Sequence, residues 1–284
     1  MYPTVFRIGD FPVSSFGLMI FLSFLVGAWI LAAQLRRRGL DPNLAWDLLV
    51  WIAFGGILGA KVYFLALHWQ DVVANPIGSI FSRGGFVWYG GLIGGVAAYY
   101  WQVRRRGLPM AAMFDASAPA LAIAYAVGRV GCFLVGDDYG LPTDHWIGVA
   151  FPEGSPPSTA GYLRSVGAEI PLDVPDSQVL AVHPTQLYET GAALVMFAIL
   201  WKLSGRRLAP GRLFGVYLAL YGIERFLIEF IRAKSDRIVV GLSTSQVASL
   251  LLLVIAAVLW LRTAQRQASA AAAPLPAGQR QGSG

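Results

Sequence analysis

Charged residues and cysteine are scarce in this sequence. Asp, Glu, Lys and Arg together make up only 13% of the 284 residues, whereas an average soluble protein has about 25%. The single cysteine excludes an internal disulfide, a zinc knuckle and an iron–sulfur site. The three histidines lie too far apart in sequence to form a metal-binding motif, so no metal is expected. The high hydrophobic content, 56% of the chain, is instead typical of a protein embedded in a membrane.

Long apolar segments recur along the chain and predict an all-α integral membrane protein with seven transmembrane helices. The expected helices are residues 15–35, 44–68, 85–103, 110–134, 184–203, 211–232 and 244–262. The first segment lacks the basic flank and the cleavage site of a secretory signal, so we interpret it as a span. We expect a membrane domain over 1–266, with a polar extracytoplasmic insertion at 135–183 between helices four and five. Residues 267–284 are expected to form a disordered cytoplasmic tail.

Lysine and arginine are concentrated in alternate connections between these helices. The basic clusters lie at residues 36–38, 104–106, 202–212 and 262–266. Because cytoplasmic loops carry the excess of basic residues, we expect an extracytoplasmic N-terminus and a cytoplasmic C-terminus. The net charge of +6 is therefore explained by membrane orientation. Since the clusters form no continuous basic face, binding of nucleic acid is not expected.

Several ionisable residues fall inside the predicted spans, where each costs at least about 2.5 kcal/mol on insertion scales. They are Lys61, Asp115, Arg129, Glu224, Arg225, Glu229 and Arg232. The spacing of Tyr221, Arg225 and Glu229, continued by Arg232, places all four on one face of helix six. This face is either a ladder of ion pairs that holds the bundle together or a polar wall that lines a cavity. The spacing alone leaves both interpretations open.

Glycine-rich segments lie on either side of the fourth helix. That helix reaches the outer surface at Arg129 and breaks at Gly131 and Gly136, within GRVGCFLVGDDYG. The preceding segment RGGFVWYGGLIGG, residues 83–95, contains six glycines. It favours either close helix packing through small residues or a re-entrant element that brings Tyr89 to a buried site.

The insertion ends in HPTQLYET, where Pro184 is placed to open helix five. Alone, His183 is typical of a structural residue, but it lies close to Gln186, Tyr188 and Glu189. We expect polar groups from helices four, five and six to meet the glycine-rich segment near the outer leaflet. Arginine binds phosphate oxygens in bidentate fashion and stays charged when partly buried. The residues therefore predict a cavity for an anionic lipid headgroup, without predicting a reaction.

Taken in order, these motifs resemble those of the prolipoprotein diacylglyceryl transferases. GRVGCFLVGDDYG resembles the family's G-R-x-G-N-F-x-N-x-E-x-(W/Y)-G, and HPTQLYE resembles its HPSQLYE. YGIERFLIEFIR resembles its Y-G-x-x-R-x-x-x-E-F-x-R. FVWYGGLIGG and FGLMIFLSFLVG resemble its S-F-H-G-G-L-I-G and Y-G-L-M-Y. The motifs extend over nearly the whole chain, and the resemblance implies a seven-span protein of the bacterial inner membrane with its N-terminus outside.

The resemblance also implies a reaction. The family transfers the diacylglyceryl group of phosphatidylglycerol to the lipobox cysteine thiol of a prolipoprotein, releases glycerol phosphate, and uses no metal or cofactor. By resemblance, Arg129 would hold the lipid phosphate, and Gly131 and Gly140 would allow backbone and lipid to approach it. Arg225 would stabilise the leaving group. The residues that would orient Arg225 are Glu229 and Tyr221.

The chain departs from the family's motifs at four positions. Tyr89 replaces a histidine proposed as the thiol base, and Phe16 replaces a tyrosine. Cys132 replaces an asparagine, and Asp137 replaces a glutamate. Tyrosine has an unperturbed pKa of about 10 and is a poor base unless a nearby cation lowers that pKa. Asp137 and His183 are the other candidates for the base.

These departures leave alternatives open. Cys132 is either a small buried residue or a nucleophile that accepts the lipid transiently. The protein is a divergent prolipoprotein diacylglyceryl transferase, a related phospholipid headgroup or diacylglyceryl transferase with a different acceptor, or a non-enzymatic lipid-binding or transport protein.

Overall fold

Helices form most of the chain that the computed structural model describes, which comprises residues 4–9, 11–82, 85–234, 237–239 and 241–272. The described helices are α1 Ser15–Arg37, α2 Leu44–Leu67, α3 Trp69–Ala74, α4 Pro76–Phe81, α5 Trp88–Arg105, α6 Met110–Val135, α7 Ala160–Ser165, α8 Thr185–Ser204, α9 Arg212–Ile228 and α10 Thr244–Ala272. In the described residues, six short strands form three antiparallel pairs: β1 Thr4–Ile8 with β2 Phe11–Ser14, β3 Val149–Ala150 with β4 Ala181–Val182, and β5 Arg237–Val239 with β6 Leu242–Ser243.

Within the described residues, five helices are long and apolar enough to cross a membrane, namely α1, α2, α6, α8 and α10. This confirms the prediction of a mainly helical membrane protein. Helices α5 and α9 occupy the third and sixth predicted segments, but they are not among the five. α5 begins at Trp88 rather than at residue 85, and α9 ends at Ile228 rather than at 232. Residues 273–284 of the expected tail lie outside the described residues, and α10 continues to Ala272.

Helix α6 is the centre of the bundle and packs against α1, α8 and α9, while α10 packs against α9. Small residues allow α1 to lie close to α6. A Cβ at Gly27 would be 3.4 Å from the Cβ of Ala124, and a Cβ at Gly131 would be only 2.9 Å from the Cβ of Met19. Gly131 is therefore explained by the packing of α1 on α6.

Asp115 has a structural role at one end of this bundle. Its two carboxylate oxygens accept hydrogen bonds from the backbone N–H groups of Gly211, at 2.7 Å, and Phe214, at 2.8 Å. Asp115 thereby caps the N-terminus of α9 from the neighbouring helix, where backbone donors are unsatisfied and negative charge is favoured. This capping contact accounts for a buried charge that the sequence left unexplained.

The predicted basic clusters meet at that same end. The guanidinium of Arg37, in the last turn of α1, lies 3.9 Å from the ring centre of Trp201 near the end of α8. Arg106, just after α5, forms a 2.7 Å ion pair with Asp47 in the first turn of α2. Contacts between helix ends thus group the basic clusters on one side of the bundle.

Helices α2 and α5 pack backbone against backbone through pairs of glycines. A Cβ at Gly59 would lie 2.3 Å from the carbonyl oxygen of Gly90, and a Cβ at Gly94 would lie 2.1 Å from that of Gly55. Glycines spaced four residues apart on both helices allow this approach. Of the two interpretations of the glycine-rich segment, the structure thus supports close helix packing, and it shows a regular helix from Trp88 onward.

We expect Gly94→Ala to destabilise the protein by about 1–3 kcal/mol, because the added methyl group forces the α2 and α5 backbones apart. Gly91→Ala on the same helix is the matched control, since its Cβ would lie 3.4 Å from the nearest atom, the carbonyl oxygen of Gly56. Thermal unfolding in detergent compares the two variants. Identical unfolding temperatures for both variants and the unmodified protein would contradict the packing account.

The segment between α6 and α8 has a small hydrophobic core of its own. The buried residues of this core are Tyr139, Phe151, Leu163, Val182 and Ala233. The Tyr139 hydroxyl donates to the carbonyl oxygens of Pro156 and Pro157 at 2.9 Å. The segment between α6 and α8 is therefore an ordered unit that packs over the ends of α6, α8 and α9, and Ala233 ties it to the chain after α9.

Candidate functional site

Six charged side chains form a closed ring of ion pairs beside this insertion. In order around the ring they are Arg129, Glu189, Arg225, Glu229, Arg232 and Asp138. Each arginine contacts two carboxylates, and each carboxylate contacts two arginines. The ring, called here the charged ring, carries no net charge, which is how charges are tolerated in a poorly hydrated environment.

Glu189 joins the two arginines that the sequence singled out. Its side chain is fully buried, and its carboxylate accepts hydrogen bonds from Arg129 and, at 2.7 Å, from Arg225. The Tyr125 hydroxyl donates a further hydrogen bond to it at 3.0 Å. Glu189 had no predicted role of its own. It is nevertheless an ionisable residue inside a predicted span, and the cost of placing a charge there marks it in the same way as the charged residues of α9.

The charged residues of the sixth predicted segment form ion pairs, although α9 ends at Ile228 and both Glu229 and Arg232 follow it. Arg225 lies 3.4 Å from Glu229, and Arg232 lies 3.7 Å from the same carboxylate oxygen. The ion-pair ladder is thus present, but it does not end on α9. It continues through Glu189 to α8 and through Asp138 to the loop after α6, so three helices and a loop share one network.

The loop after α6 closes the ring. Gly136 ends α6 in the left-handed conformation, with φ of 72°, and Asp138 also has a positive φ, of 59°. Thr185 donates its hydroxyl to the carbonyl oxygen of Asp138 at 2.7 Å, and the Gln186 amide donates to that of Asp137 at 2.5 Å. The HPTQ residues thus hold the loop at the start of α8, which explains physically why the two motifs occur together.

The two adjacent aspartates have different environments. Asp138 bridges Arg129, at 3.1 Å, and Arg232. Burial would raise the pKa of Asp138, but Arg232 and Arg129 outweigh burial and hold that pKa below its usual range. Burial raises the pKa of Asp137, and the Asp138 carboxylate raises it further. Oδ1 of Asp137 is buried and accepts no hydrogen bond from the described residues. Of these two aspartates, Asp138 is therefore the one that pairs with Arg129.

Gly140 lies at a position that is too crowded for a side chain. A Cβ there would lie 2.5 Å from the carbonyl oxygen of Ile231 and 2.8 Å from the Cβ of His183. Its N–H donates to the carbonyl oxygen of His183 at 2.9 Å. Gly140, like Gly131, is thus explained by close contact between parts of the chain. Their predicted part in binding the lipid phosphate stays a prediction.

Tyr221 packs next to the charged ring, whereas His183 lies just before the start of α8. The ring of Tyr221 packs edge-on against that of Tyr125, with centroids 5.2 Å apart, and so supports the hydroxyl that donates to Glu189. Nδ1 of His183 lies 3.2 Å from the Tyr188 hydroxyl.

Tyr89 lies on a different part of the surface. Its side chain is 57% exposed, and its ring packs edge-on against Trp88 with centroids 5.2 Å apart. Its helix, α5, packs chiefly against α2 rather than against the helices that carry the charged ring. The structure thus does not bring Tyr89 to the other predicted site residues.

Cys132 is buried next to Arg129, which donates to its sulfur at 3.4 Å. The sulfur and one oxygen each of Asp137 and Asp138 lie within 4.8 Å of one another, as ligands of a metal ion would. A guanidinium within hydrogen-bonding distance of that sulfur opposes a cation there.

The fold and the charged ring define a helical membrane protein with three largely buried arginines, each paired with two carboxylates. The sequence model of the prolipoprotein diacylglyceryl transferases matches residues 3–262, so the chain belongs to this family of membrane transferases. A relative from Clostridium tetani is 31% identical over 256 residues, covering 90% of this chain and 95% of its own. Relatives from Stenotrophomonas maltophilia and Xylella fastidiosa are 32% and 33% identical, each covering at least 90% of both chains. All three are named phosphatidylglycerol–prolipoprotein diacylglyceryl transferase.

Proposed function

We propose that the protein transfers the diacylglyceryl group of phosphatidylglycerol to the lipobox cysteine of prolipoproteins. The cysteine sulfur attacks the glyceryl carbon that carries the phosphate ester. A carbon–sulfur bond forms as the carbon–oxygen bond breaks, and the electron pair leaves with glycerol phosphate. The observation that carries the proposal is the pairing of Arg129 and Arg225 on the single carboxylate of Glu189.

The two arginines supply what the departing phosphate needs. Arg129 would bind the phosphate of the intact lipid, and Arg225 would stabilise the charge that develops on the leaving oxygen. Glu229 would orient Arg225 through the ion pair along α9. Tyr221 would act less directly, by supporting Tyr125 on the far side of Glu189.

We further propose that α5 and α9 also cross the bilayer, which gives seven spans. Their 18 and 17 residues would extend about 27 Å and 25 Å, close to the hydrocarbon thickness of about 30 Å. The common basic end of the bundle would face the cytoplasm, with the C-terminus and the tail at 267–284. The N-terminus and the insertion at 135–183 would lie outside, and the host membrane would be the bacterial inner membrane.

The thiol base is assigned to Asp137 in this proposal, because Tyr89 lies apart from the charged ring and the pKa of Asp137 is raised. A base acts when it is deprotonated, so activity is present above its pKa and is lost as the pH falls through it. We expect kcat/KM to fall on acidification, and the midpoint of this fall should lie above a pH of about 4, where an ordinary carboxyl group titrates. Asp137→Asn is expected to lower kcat/KM about 100-fold and to remove this decline.

His183→Gln serves as the comparison for that pH profile, since His183 is the rival base. It should keep the acidic decline of the unmodified protein. A decline that persists in Asp137→Asn, or that disappears only in His183→Gln, would move the base from the aspartate to the histidine.

The proposed reaction is tested with the full-length protein in vesicles that contain labelled phosphatidylglycerol and a lipobox peptide. We expect a thioether-linked peptide and one glycerol phosphate for each thioether. A peptide with serine in place of the cysteine should give neither product. Glycerol phosphate released without the cysteine peptide would indicate a different acceptor. Binding of lipid without any turnover would indicate a non-enzymatic lipid-binding protein.

A further inference from the structure

Asp138 differs from the other members of the charged ring in its exposure. Its side chain is 39% exposed, whereas those of the other five residues are at most 13% exposed. Glu189, at 0%, and Glu229, at 3%, are almost completely buried. Among the three carboxylates of the ring, Asp138 is thus the one that an incoming molecule can reach.

The contacts of Asp138 are also those that a phosphate group would make. One of its oxygens accepts from Arg129 at 3.1 Å, and the other pairs with Arg232. A phosphodiester has two unesterified oxygens and can bridge two guanidinium groups in the same way. Arg129 and Arg232 therefore already bind an anionic group, which is the carboxylate of Asp138.

Charge balance within the charged ring favours an exchange when lipid binds. The charged ring is neutral, so a phosphate added to it would introduce an uncompensated negative charge among buried groups. If the phosphate instead replaces the Asp138 carboxylate, the ring stays neutral and the displaced carboxylate reaches water. Asp138 lies on a loop rather than in a helix, so its side chain can turn outward without the unwinding of a helix.

We propose that Asp138 occupies the phosphate position of the lipid site, and that binding of phosphatidylglycerol displaces its carboxylate from Arg129 and Arg232. Arg232 is then a second phosphate ligand beside Arg129. The inference rests on the proposed function, because it takes phosphatidylglycerol as the incoming anion.

Retention of radiolabelled phosphatidylglycerol by the full-length protein in detergent tests the exchange without any peptide. Asp138→Asn removes the competing charge, and asparagine tolerates the positive φ of this position. We expect this variant to bind the lipid about tenfold more tightly, in line with the loss of one competing hydrogen bond between charged groups. Labelled diacylglycerol, which lacks the phosphate, should bind equally to both proteins.

Asp176→Asn is the matched control, because Asp176 pairs with Arg164 elsewhere in the insertion. It should leave lipid binding unchanged. Competition with free glycerol phosphate identifies the source of the anion. If glycerol phosphate displaces the lipid more effectively from Asp138→Asn than from the unmodified protein, the exchange also operates on the released product. If glycerol phosphate displaces the lipid from neither protein, the exchange is specific to the lipid headgroup.

Lipid binding by Asp138→Asn that is unchanged or weaker would overturn the exchange. Asp138→Gly is the second variant, since glycine adopts a positive φ without strain. If neither variant folds, the carboxylate is a fixed part of the loop and the exchange is also wrong. Tighter lipid binding in a protein that never converts the lipobox peptide would keep the exchange and defeat the proposed function. If the protein converts the peptide but Asp138→Asn binds the lipid with unchanged affinity, the proposed function stands and the exchange is wrong.

Discussion

Replacing Glu189 with glutamine is expected to abolish transfer and to destabilise the protein. The fully buried Glu189 carboxylate is the shared partner of Arg129 and Arg225. Its neutralisation leaves two arginines with one carboxylate fewer between them in a poorly hydrated environment. Breaking a buried pair in this way typically costs about 3–5 kcal/mol. Since the substitution also removes the alignment of both guanidinium groups, we expect kcat to fall at least about 100-fold.

Thermal unfolding and the transfer assay measure the two effects separately. Glu169→Gln is the matched control, because Glu169 is an exposed glutamate in the insertion. It should leave both the unfolding temperature and kcat close to those of the unmodified protein. A Glu189→Gln protein that unfolds at the normal temperature and turns over normally would show that this carboxylate neither balances nor aligns the two arginines.

Replacing Arg129 or Arg225 with alanine is expected to abolish activity while the protein remains folded in the membrane. The loss of one arginine leaves every carboxylate of the charged ring with its other arginine partner, but the ring then carries one uncompensated negative charge, so we expect a lower unfolding temperature in a protein that stays inserted. In the reaction, no second group takes the place of the missing arginine. Removal of one group that stabilises a developing charge costs about 100-fold to 1000-fold in kcat. We expect Arg225→Ala to act mainly on kcat and Arg129→Ala to raise KM for the lipid as well.

Lysine is expected to be almost as poor a replacement as alanine at both positions. Both arginines use two different nitrogen atoms to reach two different carboxylates. Lysine places a single ammonium on a flexible stem and cannot reproduce that fork. Arg106→Ala is the control, since Arg106 forms an exposed ion pair at the other end of the bundle. Normal turnover by either arginine variant would remove that residue from the headgroup site.

The seven long helices were predictable because each is encoded locally, whereas the short helices α3, α4 and α7 were not predicted. An apolar run of about 20 residues is sufficient to identify a membrane helix, and a helix stands at each of the seven predicted segments, five of them long and apolar enough to span. The common face of Arg225 and Glu229 was predictable for the same reason, since it follows from helical periodicity. The observed helix bounds differ from the predicted ones where a helix end depends on tertiary contacts. One example is Ile228, the last residue of α9, after which the chain pairs with the loop that follows α6.

The remaining features depend on contacts between distant parts of the chain. Asp137 and Asp138 are adjacent in sequence, but only Asp138 pairs with Arg129. Which of the two forms this pair depends on the backbone of the loop, where Asp138 has a positive φ, and the residue pattern does not encode that conformation. The position of Tyr89 is decided by glycines on α2, such as Gly59, which hold α5 against that helix. Glu189 was visible in the sequence, but its burial between two arginines was not.

Structure determination of the protein in nanodiscs of phosphatidylglycerol tests the central claim most directly. The account predicts a lipid phosphate in contact with the guanidinium of Arg129, close to Arg225, with Glu189 still joining the two arginines. A headgroup bound elsewhere on the protein, with all the ion pairs of the charged ring intact, would contradict it.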